Sequence, residues 1–112
     1  MSEKDTLALL AMLEAIDKID RIAAEIKSEE EFENNFISFD ACLMNFIVIG
    51  EMTLRLSTDF LEKHSEVEWH KMRAFRNLVA HEYHGIDVVK VWEIITFQLP
   101  ALKTKLKQIT QK

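Results

Sequence analysis

The sequence has one cysteine, two glycines and one proline among its 112 residues. Cys42 has no partner in the chain, so no internal disulfide staples the fold. With so little glycine and proline, the chain lacks the punctuation that strand-rich folds use at their tight turns. Long apolar runs are missing too. The most apolar stretch, Cys42 to Ile49, falls well short of the ~20 residues a spanning helix needs, and Glu51 and Arg55 follow closely. The opening MSEKDTLALLAML puts charges ahead of a short apolar run but offers no small-residue cleavage site. A cytoplasmic protein without a membrane helix is expected. Basic side chains are the minority, 14 against 19 acidic, for a net charge of −5. That balance argues against broad charge-driven binding to a polyanion, so any such contact must be local.

What is present points to helix. Apolar residues make up 48% of the chain, enough for one compact core, and a single domain over residues 1–112 is expected. Ser2 with Asp5 can cap a first helix over about residues 3–27, where Leu9, Met12, Ile16, Ile19, Ala23 and Ile26 recur at spacings of three and four. Ser28 with Glu31 repeats the capping pattern ahead of a short turn that Asn34-Asn35 interrupts. In a second long helix Phe36, Phe39, Leu43, Phe46, Ile47, Gly50 and Leu54 form a wide apolar stripe ending near Ser57, expected to pack on the first and last helices. Trp69, Met72, Phe75, Leu78 and Val79 mark a third helix that stops near Gly85. Asp87 caps a last helix that Pro100 should kink or restart, with a fraying tail from Lys103 to Lys112. The economical reading is an all-α, antiparallel four-helix bundle with a kinked C-terminal helix.

The stretch richest in chemistry is Arg76-Asn77-Leu78-Val79-Ala80-His81-Glu82-Tyr83, preceded by Lys71 and Arg73. On a regular helix Arg76 and Tyr83 lie about 20° apart and share a face, whereas His81 lies about 140° from Arg76. One helix therefore does not aim Arg76 and His81 at one point. Either the helix unwinds near His81, or two protomers pool their motifs across a two-fold interface, which is the preferred reading. Asn77, four residues before His81, can contact it. Periodicity alone leaves a plainer alternative open, with Arg76 in a surface ion pair and His81 hydrogen-bonded near a helix end.

Arg76-Asn77-x-x-x-His81-x-Tyr83 resembles the Arg-x4-His-x-Tyr pattern of HEPN domains, specifically the HepT branch. Ile49-Gly50-Glu51, Trp69, and Val91-Trp92-Glu93-Ile94-Ile95 followed by Leu99-Pro100 extend the similarity over about residues 5–108. The resemblance implies a HEPN-type bundle and a metal-independent endoribonuclease without a cofactor. Attack by the 2′-hydroxyl on the adjacent phosphorus would leave a 2′,3′-cyclic phosphate. His81 would be the base, its type suited by an ordinary pKa of about 6.5, and Arg76 the clamp on phosphate oxygens. Asn77, Glu51 and Tyr83 would support them, with Glu51 pairing Arg73 or Arg76. The resemblance further implies a toxin of a type VII toxin–antitoxin system acting as a homodimer. Its partner would be an MntA-like nucleotidyltransferase antitoxin that silences it by AMPylation of Tyr83. A different class of reading is a non-catalytic helical docking partner of a nucleotidyltransferase.

Other features read as packing. His81-Glu82-Tyr83-His84 is one residue short of His-Glu-x-x-His, so no metal site is expected from His70, His81, His84 and Cys42. His64 and His84 are expected to face solvent, Cys42 to be a small apolar residue, and Trp69 and Trp92 to anchor the core.

Overall fold

The computed structural model describes residues 1–111, all in helices, turns and connections without a strand among them. The chain forms α1 (Glu3–Ala24), α2 (Glu29–Glu33), α3 (Phe36–Thr53), α4 (Thr58–Lys63) and α5 (Trp69–Glu82). A 3-10 turn (Tyr83–Gly85) then leads into α6 (Val88–Glu93), a π-helical turn (Ile94–Gln98) and α7 (Leu99–Thr110). The four expected long elements are α1, α3, α5 and the continuous rod from α6 to α7; α2 and α4 occupy the connections.

Most starts follow the expected caps. Ser2 Oγ accepts from Asp5 N–H at 3.0 Å, Ser28 Oγ from Glu31 N–H at 3.1 Å and Asp87 Oδ1 from Val89 N–H at 2.9 Å, each satisfying a donor orphaned at a helix start. Asn35 caps α3 and Ser57 caps α4 in the same way. Ser57 is itself held by α1: its N–H and hydroxyl both donate to the buried Asp5 carboxylate, at 2.7 and 2.8 Å. Burial alone would push the Asp5 carboxyl up, but these bonds from Ser57 and the one from Ser2 outweigh it and hold the pKa below its ordinary value. The bond ties the start of α1 to the chain just beyond α3, which makes the two helices antiparallel.

Helix α3 sits between α1 and α5. It buries Phe39, Cys42, Leu43, Phe46, Ile49, Gly50 and Thr53, while α1 contributes Ala8, Leu9, Met12, Ala15, Ile16 and Ile19. Full burial of each large aliphatic or aromatic side chain is worth about 1.5–3 kcal/mol, so this seam supplies most of the driving force for the bundle. Cys42 lies in it fully buried, and desolvation pushes its thiol up to about 12. Trp69 anchors the start of α5, its Nε1 donating to His64 O at 3.0 Å, and Trp92 packs on Phe32 of α2 at 5.0 Å between ring centres.

Several expectations are corrected. The stripe of α3 is narrower than the sequence suggested: Phe36 is 70% exposed and Leu54 57%, because they sit in the first turn and the cap, where neighbouring helices end. Its main neighbours are α1 and α5, with Phe46 edge-on to Phe75, while the last helix packs chiefly on α1. Taken whole, α3 is 18 residues with a mean hydropathy of 1.4, long and apolar enough by those measures to cross a membrane, which the shorter Cys42–Ile49 stretch concealed. Here that apolarity is used to pack two neighbours. His64 is mostly buried, its ring against Phe60. Gly85 does not adopt a left-handed stop; a 3-10 turn ends α5 instead. The expected restart of the last helix at Pro100 is present: Pro100 lies in the first turn of α7, directly after the π turn. Without an N–H, Pro100 cannot serve the carbonyl four residues back, and Leu99 N–H reaches five back to Ile94 O. The tail is helical through Thr110 with Leu106 and Ile109 buried; Lys112 lies outside the described residues.

Candidate active site

Gly50 lets α5 approach α3 at the level of the motif. A Cβ at this position would lie 2.2 Å from Arg76 Cβ and 2.9 Å from Met72 O, so no other residue fits without displacing α5. With the backbones this close, the two arginines of α5 reach polar groups on α3. Arg73 donates through Nε to Thr53 Oγ1 at 3.2 Å and through Nη2 to Thr53 O at 2.9 Å, closing the C-terminal end of α3. Arg76 donates from Nε to Glu51 Oε1 at 2.6 Å, its Nη2 is ion-paired to the same oxygen at 2.6 Å, and its Nη1 donates to Asn77 Oδ1 at 3.1 Å. Of the two pairings open to Glu51, the structure takes Arg76.

A guanidinium carries five N–H donors, so these contacts leave at least one N–H without a partner on each of Nη1 and Nη2 of a half-buried group. The plane of the group is fixed and its outer edge is available to two oxygens of a phosphate. Asn77 thus supports Arg76, not the His81 contact the spacing suggested.

His81 lies in the last turn of α5, exposed to solvent. Because both residues remain within the regular helix, the offset of about 140° between Arg76 and His81 persists within one chain. Unwinding does occur, but one residue past His81: at Glu82 the backbone turns to φ −134°, ψ 38°. Tyr83 is thereby taken off the helix, and the shared face expected for Arg76 and Tyr83 does not form. The phenol instead reaches across to α3, its hydroxyl donating to Asp40 Oδ1 at 2.5 Å, with the His84 ring edge-on at 5.2 Å. The bond to the Asp40 carboxylate holds the Tyr83 pKa above its ordinary value. Asp40 escaped the sequence reading. Its signal was there: Asp40 and Glu51 are eleven residues apart, about 20° around a helix axis and about 16 Å along it, on one polar edge of an otherwise apolar helix.

Beside the exposed face of α5, the π turn and α7 leave an apolar groove of about 770 Å³ lined by Phe46, Met72, Phe75, Leu78, Phe97 and Leu102 among others. Phe97 stands at its rim 75% exposed. Among the described residues no group of three or more His, Cys, Asp or Glu side chains gathers closely enough to hold a metal ion.

A family profile described as Ribonuclease HepT-like matches residues 12–109, a span that contains both edges of this site. The chain belongs to the HepT-like ribonuclease family. A provisionally named RNase of Methanocaldococcus jannaschii is 31% identical over 108 residues, covering 96% of this chain and 98% of that protein. A protein of Thermococcus cleftensis, provisionally named ribonuclease HepT, is 32% identical over 108 residues and 96% of each chain. A provisionally named RNase of Caldanaerobacter subterraneus is 34% identical over 85 residues, 76% of each. No solved structure matches the chain. The HepT-like family makes the chain a ribonuclease with RNA as its substrate class, and the all-α bundle is the fold expected of it.

Proposed function

We propose that this HepT-like ribonuclease is an endonuclease that cuts RNA without a metal, using Arg76 and His81. The observation that carries the reading is the state of Arg76: a guanidinium locked by Glu51 and Asn77 with its outer N–H groups unengaged, on the same helix as an exposed imidazole. In the proposed step, neutral His81 accepts the proton of the ribose 2′-hydroxyl as that oxygen bonds to phosphorus. The bond from phosphorus to the 5′-oxygen breaks, the leaving oxygen takes a proton from water, and a 2′,3′-cyclic phosphate remains. Arg76 binds two non-bridging oxygens as charge builds on them, a contact that strengthens toward the transition state.

The offset between Arg76 and His81 makes a homodimer part of this proposal. His81 lies about 20° from Ala74 and about 60° from Leu78 around α5, so it borders the apolar groove. A second copy laid two-fold along this face would cover the groove and Phe97 while bringing one copy's His81 toward the other's Arg76. The docking-module alternative gives no role to a pre-positioned guanidinium beside a free histidine.

Within the same proposal the enzyme is the toxin of a toxin–antitoxin pair, silenced when an MntA-like nucleotidyltransferase transfers AMP from ATP to Tyr83. Tyr83 Oη sits far from Arg76, near the other end of α3, so direct competition for the clamp is not the means of silencing. The added nucleotide would instead cover the end of α5, where His81 lies two residues before Tyr83, and bring negative charge there. The test is product chemistry: purified protein with labelled RNA in EDTA should yield 2′,3′-cyclic phosphate and 5′-hydroxyl ends. Cleavage that needs added divalent metal, or leaves 5′-phosphates, would overturn the mechanism.

A further inference from the structure

We infer that Asp40 is the proton acceptor for nucleotidyl transfer onto Tyr83, so that the ribonuclease itself supplies the base for its own modification. The inference rests on Tyr83 being the acceptor, and adds a residue with no other role in the site.

Three features carry it. Tyr83 is held off the end of α5 by the bend at Glu82 and is 42% exposed, so a nucleotide can approach from solvent. Its hydroxyl donates to a half-buried carboxylate on a different helix, across 43 residues of sequence. That contact is not needed for any cap or for the core: Asp40 lies five residues into α3, past the first turn that Asn35 caps, on the face it shares with the exposed Phe36 and Met44. A phenol on a helix end would ordinarily point its hydroxyl at water. Here the polar end is bonded to a group that accepts protons and cannot donate one while ionised.

The chemistry requires such a group. The Tyr83 oxygen attacks the α-phosphorus of ATP, a new O–P bond forms, the bond from the α-phosphorus to the bridging oxygen breaks and pyrophosphate leaves. The phenolic proton must depart as the oxygen bonds, and the Asp40 carboxylate, already its hydrogen-bond acceptor, takes it and later releases it to water. An aspartate in contact with an attacking hydroxyl plays this part in other phosphoryl transfers, where the base orients the nucleophile as much as it removes the proton. The bond to Asp40 holds the phenol protonated at rest, so the hydroxyl stays aligned until the phosphorus arrives.

The experiment follows AMP incorporation by intact mass, with ATP and a minimal nucleotidyltransferase that recognises the chain. Wild type, Tyr83→Phe, Asp40→Asn and Asp40→Glu are compared, each first checked for an unchanged helical spectrum and melting temperature. Wild type should gain AMP on the peptide holding Tyr83, and Tyr83→Phe should gain none. Asp40→Asn keeps the shape and an acceptor oxygen but loses the base, so kcat should fall about 100-fold with KM for the ribonuclease nearly unchanged, and Asp40→Glu should recover part of the loss. Asp40→Asn modified at the wild-type rate would overturn the role of Asp40 and leave Tyr83 as the acceptor. A loss confined to KM would overturn it equally, by making Asp40 part of docking. Wild type modified elsewhere, or not at all, would overturn both.

Discussion

Glu51 holds Arg76 through a single carboxylate oxygen, which accepts from Nε and is ion-paired with Nη2 at the same 2.6 Å. Both side chains are partly open to solvent, 39% and 30% exposed, so the pair contributes about 1 kcal/mol or less to stability. Its effect is on orientation. Glu51→Gln is expected to shift the unfolding midpoint little and to lower kcat about 10- to 100-fold, since a small misplacement of a positioned group is costly. Denaturant titration and single-turnover cleavage on one preparation check this. Unchanged cleavage would show that Arg76 finds its position without Glu51.

Arg76→Ala and His81→Ala should each lower cleavage by about 10²–10⁴-fold without unfolding the bundle. Mixing the two inactive proteins separates a shared site from a self-contained one. If Arg76 of one copy works with His81 of the other, a mixed dimer carries one intact pair and regains activity after subunit exchange. A mixture as inactive as its parents would place both residues of each site in one chain.

Phe97→Asp puts a charge on the rim of the apolar groove and should convert dimer to monomer, read as a halved mass by light scattering. Cleavage should fall with it. A variant that stays dimeric would move the interface elsewhere.

Gly50→Ala places a methyl group where Arg76 Cβ and Met72 O already stand. Neither can yield without moving α5, so we expect a loss of about 1–3 kcal/mol, seen as a lower thermal midpoint, together with reduced cleavage. A fully stable, active variant would show that the helices separate at no cost.

Acid stability should report Asp5. Its pKa is lowered in the fold from the ordinary 3.8. The folded state therefore holds fewer protons than the unfolded one between the two values, and stability rises with pH there. The contribution is complete above the ordinary value and is lost as pH falls toward and through the folded one. Urea midpoints at pH 7, 4 and 3 should drop for wild type and drop less for Asp5→Asn. Parallel curves would assign the acid loss to other carboxylates.

The helices were legible in the sequence because caps and apolar spacing are local: Ser2, Ser28 and Asp87 act where expected, and Leu9, Met12, Ile16 and Ile19 all face the core. The site was legible in part. Glu51 could be paired with an arginine from their types alone, but choosing Arg76 over Arg73 depends on where Gly50 lets the helices touch. Tyr83 was misplaced because a helix wheel carries no information about the bend at Glu82. The contact with Asp40, 43 residues away, has no local trace beyond its spacing from Glu51. Phe36 and Leu54 fit the stripe by period and miss the core because periodicity does not say where a neighbouring helix stops.

The π turn works as a shim one residue thick. Val91 and Leu99 are both buried, eight residues apart, a spacing that in an unbroken α-helix would swing the second about 80° away from the first. One extra residue in a widened turn takes back nearly all of that rotation, so Val91, Leu99 and Leu106 stay in line. Removing Thr96 would leave Val91 and Leu99 a heptad apart and keep α7 turned to the core, with Pro100 still interrupting the hydrogen-bond ladder. The residue such a deletion would most disturb is Phe97, whose outward projection from the groove belongs to the shim and not to the helices on either side.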